Sequence, residues 1–480
     1  MYDVLIVGCG IVGAAAAYEL SRYRLEVGVL EANNDVAGGA TKANNAILHA
    51  GYDSTPGTRE AALTREGFRL SREQCAALDV ERRELPALVV AFDEPQMRKV
   101  EQLVRQGRLN DVPGIRQLPA EEILRREPNI SPRVVGGLIA PEAAIVNPWE
   151  YCIALAETAV RNGVHAHLST EVLAIEKRRD AFRVSTSRGD FEARYIVNAA
   201  GNYSDRVHAM IGGTGFRQVY NAGQYFVFDK SQCGLVNSLI FSCSVKPGFK
   251  GTTVFPSVHG NLLAGPDFYR VAGPEELGTA AGRMEELKRA VLDMVPAVDF
   301  REIIHEFCGI RPSTDKDDFI VEESPCCPKF VNLAGMKSPG LTAAPAIAKK
   351  GVEILAGCGL KLTAKNRFVD TRRKVKFREL DNAGRRGLVR ENPLHGRVIC
   401  RCETITEGEI VESVHRPIVP RSIDAVKRRC NTGMGRCQGG FCGPRVHAIL
   451  ARELGVSPLD IPLDREGSLV LTGRTKEAGA

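Results

Sequence analysis

Tyr2-Asp3-Val4-Leu5-Ile6-Val7-Gly8-Cys9-Gly10-Ile11-Val12-Gly13 is the stretch that decides the fold. Its first seven residues form the short apolar run of a buried parallel strand. Ile11 to Tyr23 then reads as a helix with a small-residue face, Ala14 to Ala17, and Leu25 to Leu30 as a second strand ending at Glu31. This βαβ opening places the chain in the α/β class. Each part of the glycine motif has a task. Gly8 permits the tight turn, Gly10 lets a pyrophosphate approach the backbone, and Gly13 allows the helix to pack closely on the strand. N–H groups at the helix start (Gly10, Ile11, Val12) face the phosphates, and Glu31 accepts from a ribose hydroxyl. The motif alone does not separate FAD from NAD.

Outward from this start, Pro148 to Asn162 reads as a helix and Ala193 to Ala199 as a buried strand. Between about 216 and 270 the pattern changes to short strand-like runs at Val219–Phe228, Leu239–Val245, Thr252–Pro256 and Asn261–Ala264, broken by Gly, Pro and Asn. They predict an antiparallel sheet inserted into the α/β part, followed by a helix over Glu275–Met294. Residues 361–396 are basic and lack periodicity, as in a connecting segment. Arg445 to Leu454 predicts a helix stopped by Gly455.

With 480 residues, 44% hydrophobic and 25% charged, the chain has the composition of a soluble globular protein of two or three domains. No stretch offers the ~20 apolar residues of a membrane-spanning helix, and the apolar start lacks a preceding Lys or Arg, so a cytoplasmic protein is expected. Residues 361–455 hold 21 Lys and Arg against 10 Asp and Glu, and the remainder is net acidic. Aromatic interleaving is missing, which argues against nucleic acid. The charge fits an anionic cluster or an acidic protein partner.

Nine of the 14 cysteines are scattered through the first 360 residues, while five fall between 400 and 442. Cys400-Arg-Cys402 and Cys437-Gln-Gly-Gly-Phe-Cys442 offer four thiolates as C-x-C and C-x4-C, suited to a small iron–sulfur cluster. Zinc also takes four cysteines, though its knuckles usually read C-x2-C. Arg397, Arg401, Arg428, Arg429, Arg436 and Arg445 can compensate the cluster's negative charge, and the nearby glycines let backbone N–H groups approach sulfur.

After Glu31, Gly38-Gly39-Ala40-Thr41 and Asn44-Asn45-Ala46-Ile47-Leu48-His49-Ala50-Gly51-Tyr52 resemble the second segment of the D-amino-acid-oxidase superfamily of flavoproteins. Asn198-Ala199-Ala200-Gly201-Asn202 resembles its strand-end stretch. Gly309-Ile310-Arg311-Pro312, with Ala334-Gly335-Met336-Lys337-Ser338-Pro339-Gly340-Leu341-Thr342, resembles its closing segment. The resemblance implies FAD, with Thr41, Asn45, Ala200, Gly201, Gly335, Ser338, Gly340, Leu341 and Thr342 beside it. Lys427 to Cys442 resembles the bacterioferritin-associated-ferredoxin-like domain, which implies a [2Fe-2S] cluster. That family often has Thr where this chain has Cys430, a departure that leaves the four proposed ligands intact.

The combination is similar to the glycerol-3-phosphate dehydrogenase-like large subunits of anaerobic type. It implies an oxidoreductase over 1–360 (FAD-binding about 1–80, 140–215 and 305–360; substrate part about 81–139 and 216–304). A linker would then span 361–396, a cluster domain 397–455 and a tail 456–480.

The resemblance further implies a small anionic hydroxy substrate, sn-glycerol 3-phosphate, with electrons passing from flavin to cluster to an external acceptor or companion redox subunits. A 2-hydroxyacid dehydrogenase of the L-2-hydroxyglutarate type and a non-catalytic electron carrier are the alternatives. Arg311 would grip the anion, unless Asp315, Asp317 or Asp318 pairs with it. Lys337 would bind the anion or stabilise reduced flavin, and His49 would be the base. Tyr225 and His259 are candidates for the pocket wall, and Cys308 for a covalent flavin link.

Overall fold

The computed structural model describes residues 1–476. Its opening strand Tyr2–Val7 pairs in parallel with Val27–Leu30 on one side and with Gly189–Asn198 on the other, inside an eight-stranded sheet. Val4 and Ile6 pack with helices Ile11–Leu20, Pro148–Arg161 and Gly340–Gly357, while Leu5 and Val7 pack with Phe182, Val184 and Phe330. Both faces of the strand are therefore dry, which explains its unbroken apolar run. The first helix ends at Leu20 rather than Tyr23, where the Ser21 hydroxyl turns back to the Tyr18 carbonyl at 2.7 Å.

The inserted sheet has nine strands and is antiparallel except where Leu239–Ser242 runs parallel to Ala87–Ala91. Gln218–Phe228 pairs antiparallel with Ile303–Thr314 and sets Asn221 opposite Arg311. The latter strand, assigned to the flavin part from 305 onward, thus belongs to the substrate sheet. Leu239–Ser242 is shorter than the expected Leu239–Val245 because residues 243–251 leave the sheet to border the cavity described below. The helix expected from Glu275 begins at Ala281.

The segment 361–396 is built into the body. Arg372 donates to Glu150 at 2.6 Å and to Glu157 at 2.9 Å, and Lys374 pairs with Glu150 at 2.9 Å. Asn382–Glu391 forms a helix whose first turn is capped by Asp381. Charges that read as solvated linker are counter-ions to two carboxylates buried on Pro148–Arg161, a pairing that composition does not encode.

The cysteine-bearing part holds a strand pair, Val398–Cys400 with Ile405–Thr406, and helices Glu407–Val414, Ile423–Cys430 and Gly443–Leu454. Ile399, Ile410, Val426, Val446 and Leu450 form its own core. Gly455, at φ 64°, ends the last helix as expected. Beyond it the tail returns, with Asp464 meeting Lys42 at 2.6 Å and Arg428 at 2.9 Å. Residues 477–480 of the expected tail lie outside the described residues. Among the described residues no helix is long and apolar enough to cross a membrane.

Candidate active site and cluster site

A cavity of ≈ 1450 Å³ runs between the two sheets. Sites for a single small molecule are about 300–1,000 Å³, so this one has room for a dinucleotide and a substrate. Gly8, Gly10, Ile11, Val12 and Glu31 line one end. Gly8 has φ +96°, and a Cβ on Gly13 would stand 2.0 Å from the Gly8 carbonyl oxygen, so the turn and the helix touch where only hydrogen fits. Gly10 begins the helix without a side-chain cap, and Thr41 from the next wall accepts the Ile11 N–H at 3.0 Å. The buried Glu31 carboxylate accepts the Cys9 N–H at 2.7 Å and the Asn33 N–H at 2.9 Å. Ala200 and Gly201 continue this wall, where Asn202 leaves its side-chain oxygen buried and unpaired. A glycine cradle, a helix start and an orphaned acceptor fit the nucleotide half of FAD.

At the other end His49, Asn45, Arg311, Tyr225, Lys337 and Ser338 line the same cavity. His49 is buried, with its backbone N–H donating to Thr342 Oγ1 at 2.9 Å and its Nε2 3.3 Å from Ser338 Oγ. Burial holds its imidazole down to about 4, with Asp53 opposing and Lys250 assisting, so it is neutral at neutral pH and its ring nitrogen is free of a proton to accept one. Gly335, Gly340 and Leu341 also line the cavity, whereas Thr342 lies behind His49.

The Arg311 guanidinium donates to the Ala222 carbonyl at 3.0 Å and lies 5.3 Å from the Phe268 ring. It forms no ion pair with Asp315, Asp317 or Asp318; the Asp318 carboxylate is engaged by the Arg59 and Glu60 N–H groups at 2.8 Å each, and Asp315 accepts the Arg217 N–H at 3.1 Å. Lys337 is more committed than expected. Its ammonium donates to the Asp317 carbonyl at 2.9 Å and stands 3.8 Å from Glu60.

Tyr225 is on the wall as expected, but His259, the other wall candidate, and Cys308, the candidate for a covalent flavin link, are elsewhere. His259 bonds Asn147 at 2.9 Å near Arg378, in the junction with the cysteine-bearing part and outside the cavity. Cys308 is buried beside Tyr269 and does not line the cavity, so it is not placed to tether flavin. Side chains alternate along a strand, and the register that turns Arg311 inward is invisible without its partner strand. Sequence reasoning missed the pair Lys250–Asp53, 2.6 Å apart on the cavity wall. Asp53 follows His49 by four residues, and that spacing was the available signal.

The four cysteines meet across the chain rather than within their sequence pairs. Cys402 and Cys437 sulfurs are 3.7 Å apart, while the Cys442 thiol donates to Cys400, holding Cys400 down to about 6. Two thiolates on one tetrahedral ion with bonds of about 2.3 Å stand about 3.8 Å apart, so the Cys402–Cys437 spacing suits one iron. Two such pairs fit the two irons of a binuclear cluster. A Cβ on Gly435 would lie 2.4 Å from the Cys402 Cβ, so glycine is what allows this approach. Cys430 packs in the junction with its thiol donating to the Val426 carbonyl at 3.3 Å. Arg428 and Arg429, expected to face the cluster, instead clamp the buried Asp35 at 3.0 and 2.8 Å, because a buried guanidinium requires a carboxylate.

Residues 3–354 match the FAD dependent oxidoreductase (DAO) family and residues 398–452 the BFD-like [2Fe-2S] binding domain. The chain belongs to this family of FAD-dependent oxidoreductases and carries the second domain at its C-terminal end; its cofactors are FAD and a [2Fe-2S] cluster. It is 44% identical to a glycerol 3-phosphate dehydrogenase of Caloramator mitchellensis, covering 99% of both chains. It is 32% identical to a glycerol 3-phosphate oxidase of Mycoplasma genitalium over 76% of this chain and 96% of that one. The FAD-bound, dithionite-reduced L-alpha-glycerophosphate oxidase of Mycoplasma pneumoniae superposes with a TM-score of 0.74 at 33% identity, covering 77% of this chain and 98% of the other.

Proposed function

We propose that the protein oxidises sn-glycerol 3-phosphate to dihydroxyacetone phosphate, its electrons leaving through the [2Fe-2S] cluster to an external acceptor. The observation that carries this reading is the convergence of a neutral buried His49 with the cations Arg311 and Lys250 at the end of the cavity away from the glycine turn. FAD, when bound, supplies the acceptor for the electron pair and hydrogen leaving C2, and the cluster supplies an acceptor for electrons taken singly. His49 takes the proton of the C2 hydroxyl. Ser338, in reach of the imidazole, orients it. Arg311, which forms no salt bridge among the described residues, binds the phosphate through its fork of N–H donors.

Asp53 favours this substrate over a dicarboxylate. Its Oδ1 is buried without a partner, and a substrate hydroxyl satisfies that oxygen where a second carboxylate repels it. The full-length likeness to a glycerol 3-phosphate dehydrogenase supports the same choice. Anaerobic dye reduction with a substrate panel tests it. Turnover with glycerol 3-phosphate and none with L-2-hydroxyglutarate is expected, and the reverse preference contradicts the proposal.

A further inference from the structure

We propose that the outward side of the cluster site is a docking face for a small acidic protein that carries one electron. The inference rests on the reading that electrons leave through the cluster, and it adds where they leave and what receives them.

The two sides of the cysteine site are built differently. On the inward side every charge is paired with the flavin-bearing body or its sheet. Arg436, next to Cys437, meets Asp229 at 3.1 Å and Glu302 at 2.7 Å. Glu403, next to Cys402, is buried and receives Lys230 at 2.8 Å and Arg378 at 3.2 Å. These contacts fix the site against the substrate sheet.

On the outward side two arginines beside the cysteines stand unpaired among the described residues. Cys402 is exposed, unlike the buried Cys400 and Cys442. Arg401, between two ligands, is exposed, and Arg445, one helical turn past Cys442, is exposed too. Neither has a carboxylate partner among the described residues. Phe441, between Gly440 and Cys442, is 81% exposed, more than any other large apolar side chain described. The Cys402 and Cys437 sulfurs are 3.7 Å apart; Arg401 precedes Cys402 and Phe441 follows Cys437 by four residues, so both border the cysteine site.

An exposed aromatic among unpaired arginines has the composition of an interface core, where Phe and Arg are enriched. Its complement is a carrier whose redox group opens among Asp and Glu, and a basic carrier is repelled. In the transfer the cluster loses one electron and the carrier gains it, with no bond made or broken. The patch is small, as in short-lived redox encounters.

The test is binding, measured calorimetrically with the oxidised holoenzyme and an oxidised acidic flavodoxin as probe, without substrate. Phe441→Ala, which removes no buried contact, is expected to raise Kd about tenfold or more. Arg445→Glu should do the same and flatten the fall of affinity with added salt. Cytochrome c, a basic carrier, should bind far more weakly. Cluster and flavin absorbance are recorded for each variant, so lost cofactor is told apart from lost docking. Unchanged Kd in both variants with cofactors intact, no flavodoxin binding at low salt, or equal affinity for cytochrome c would overturn the proposal. Failure of glycerol 3-phosphate to bleach the flavin would overturn the substrate reading and leave this binding result standing.

Discussion

At the scale of single residues the account turns on His49 and Arg311. Replacing His49 by Asn keeps a polar side chain of similar size and removes the base, so kcat/KM should fall by about 10²–10⁴ with flavin still bound. Burial holds the imidazole down to about 4. It therefore stays neutral as pH falls through the ordinary histidine value of about 6.5, and the acid limb of kcat/KM should lie well below that value. A limb at 6.5 would mean another group takes the proton. Arg311→Ala removes a charged hydrogen bond to the anion worth about 1.5–3 kcal/mol, which is roughly a ten- to hundredfold loss in kcat/KM. Lys337→Met should cost less, since that ammonium already serves Glu60 and Asp317. That Arg311 and His49 line the cavity was legible because they sit in recognisable segments. Lys250 was not, since it lies on a loop that meets His49 and Asp53 only after the sheet has folded.

At the scale of elements, the nucleotide end was the most legible part, because local sequence determines it. Glycine spacing, strand and helix all occur within residues 2–31, and the parallel pairing of Tyr2–Val7 with Val27–Leu30 follows from them. Gly13→Ala would press a methyl group to within 2.0 Å of the Gly8 carbonyl. The turn must shift, at a cost of about 1–3 kcal/mol, and the purified variant should show a lower ratio of flavin to protein absorbance. The partners of Gln218–Phe228 were less legible. Ile303–Thr314 joins it from 75 residues away, and nothing in a strand's own pattern names its neighbour. The crossed pairing of the cysteines is a similar case, since thiols close in sequence proved to serve opposite ends of the site.

At the scale of the whole molecule, buried ion pairs lock the cysteine-bearing part onto the flavin-bearing part. Asp35, four residues after Glu31, is enclosed by Arg428 and Arg429, and Arg429 is wholly buried. Asp35→Asn leaves the buried Arg429 without its close anion, while Arg428 keeps Asp464, and should cost about 3–5 kcal/mol in urea unfolding followed by Trp149, the single tryptophan. Arg429 and Arg428 hold the Asp35 carboxyl below its ordinary range, against its desolvation, and Arg428 with Lys42 holds Asp464 down to about 2. Both pKa values are depressed on folding, so this stabilisation is present above the ordinary carboxyl range near 4. It should be lost as pH falls from there toward 2.

A fixed junction between two cofactor-bearing parts leads to the most direct test of the central claim, that substrate electrons pass from flavin to cluster within one chain. Anaerobic enzyme mixed with glycerol 3-phosphate should lose its flavin absorbance and develop the electron paramagnetic resonance signal of a reduced [2Fe-2S] cluster. Bleaching without that signal in a protein whose iron and sulfide are intact, or no bleaching at all, would contradict the account.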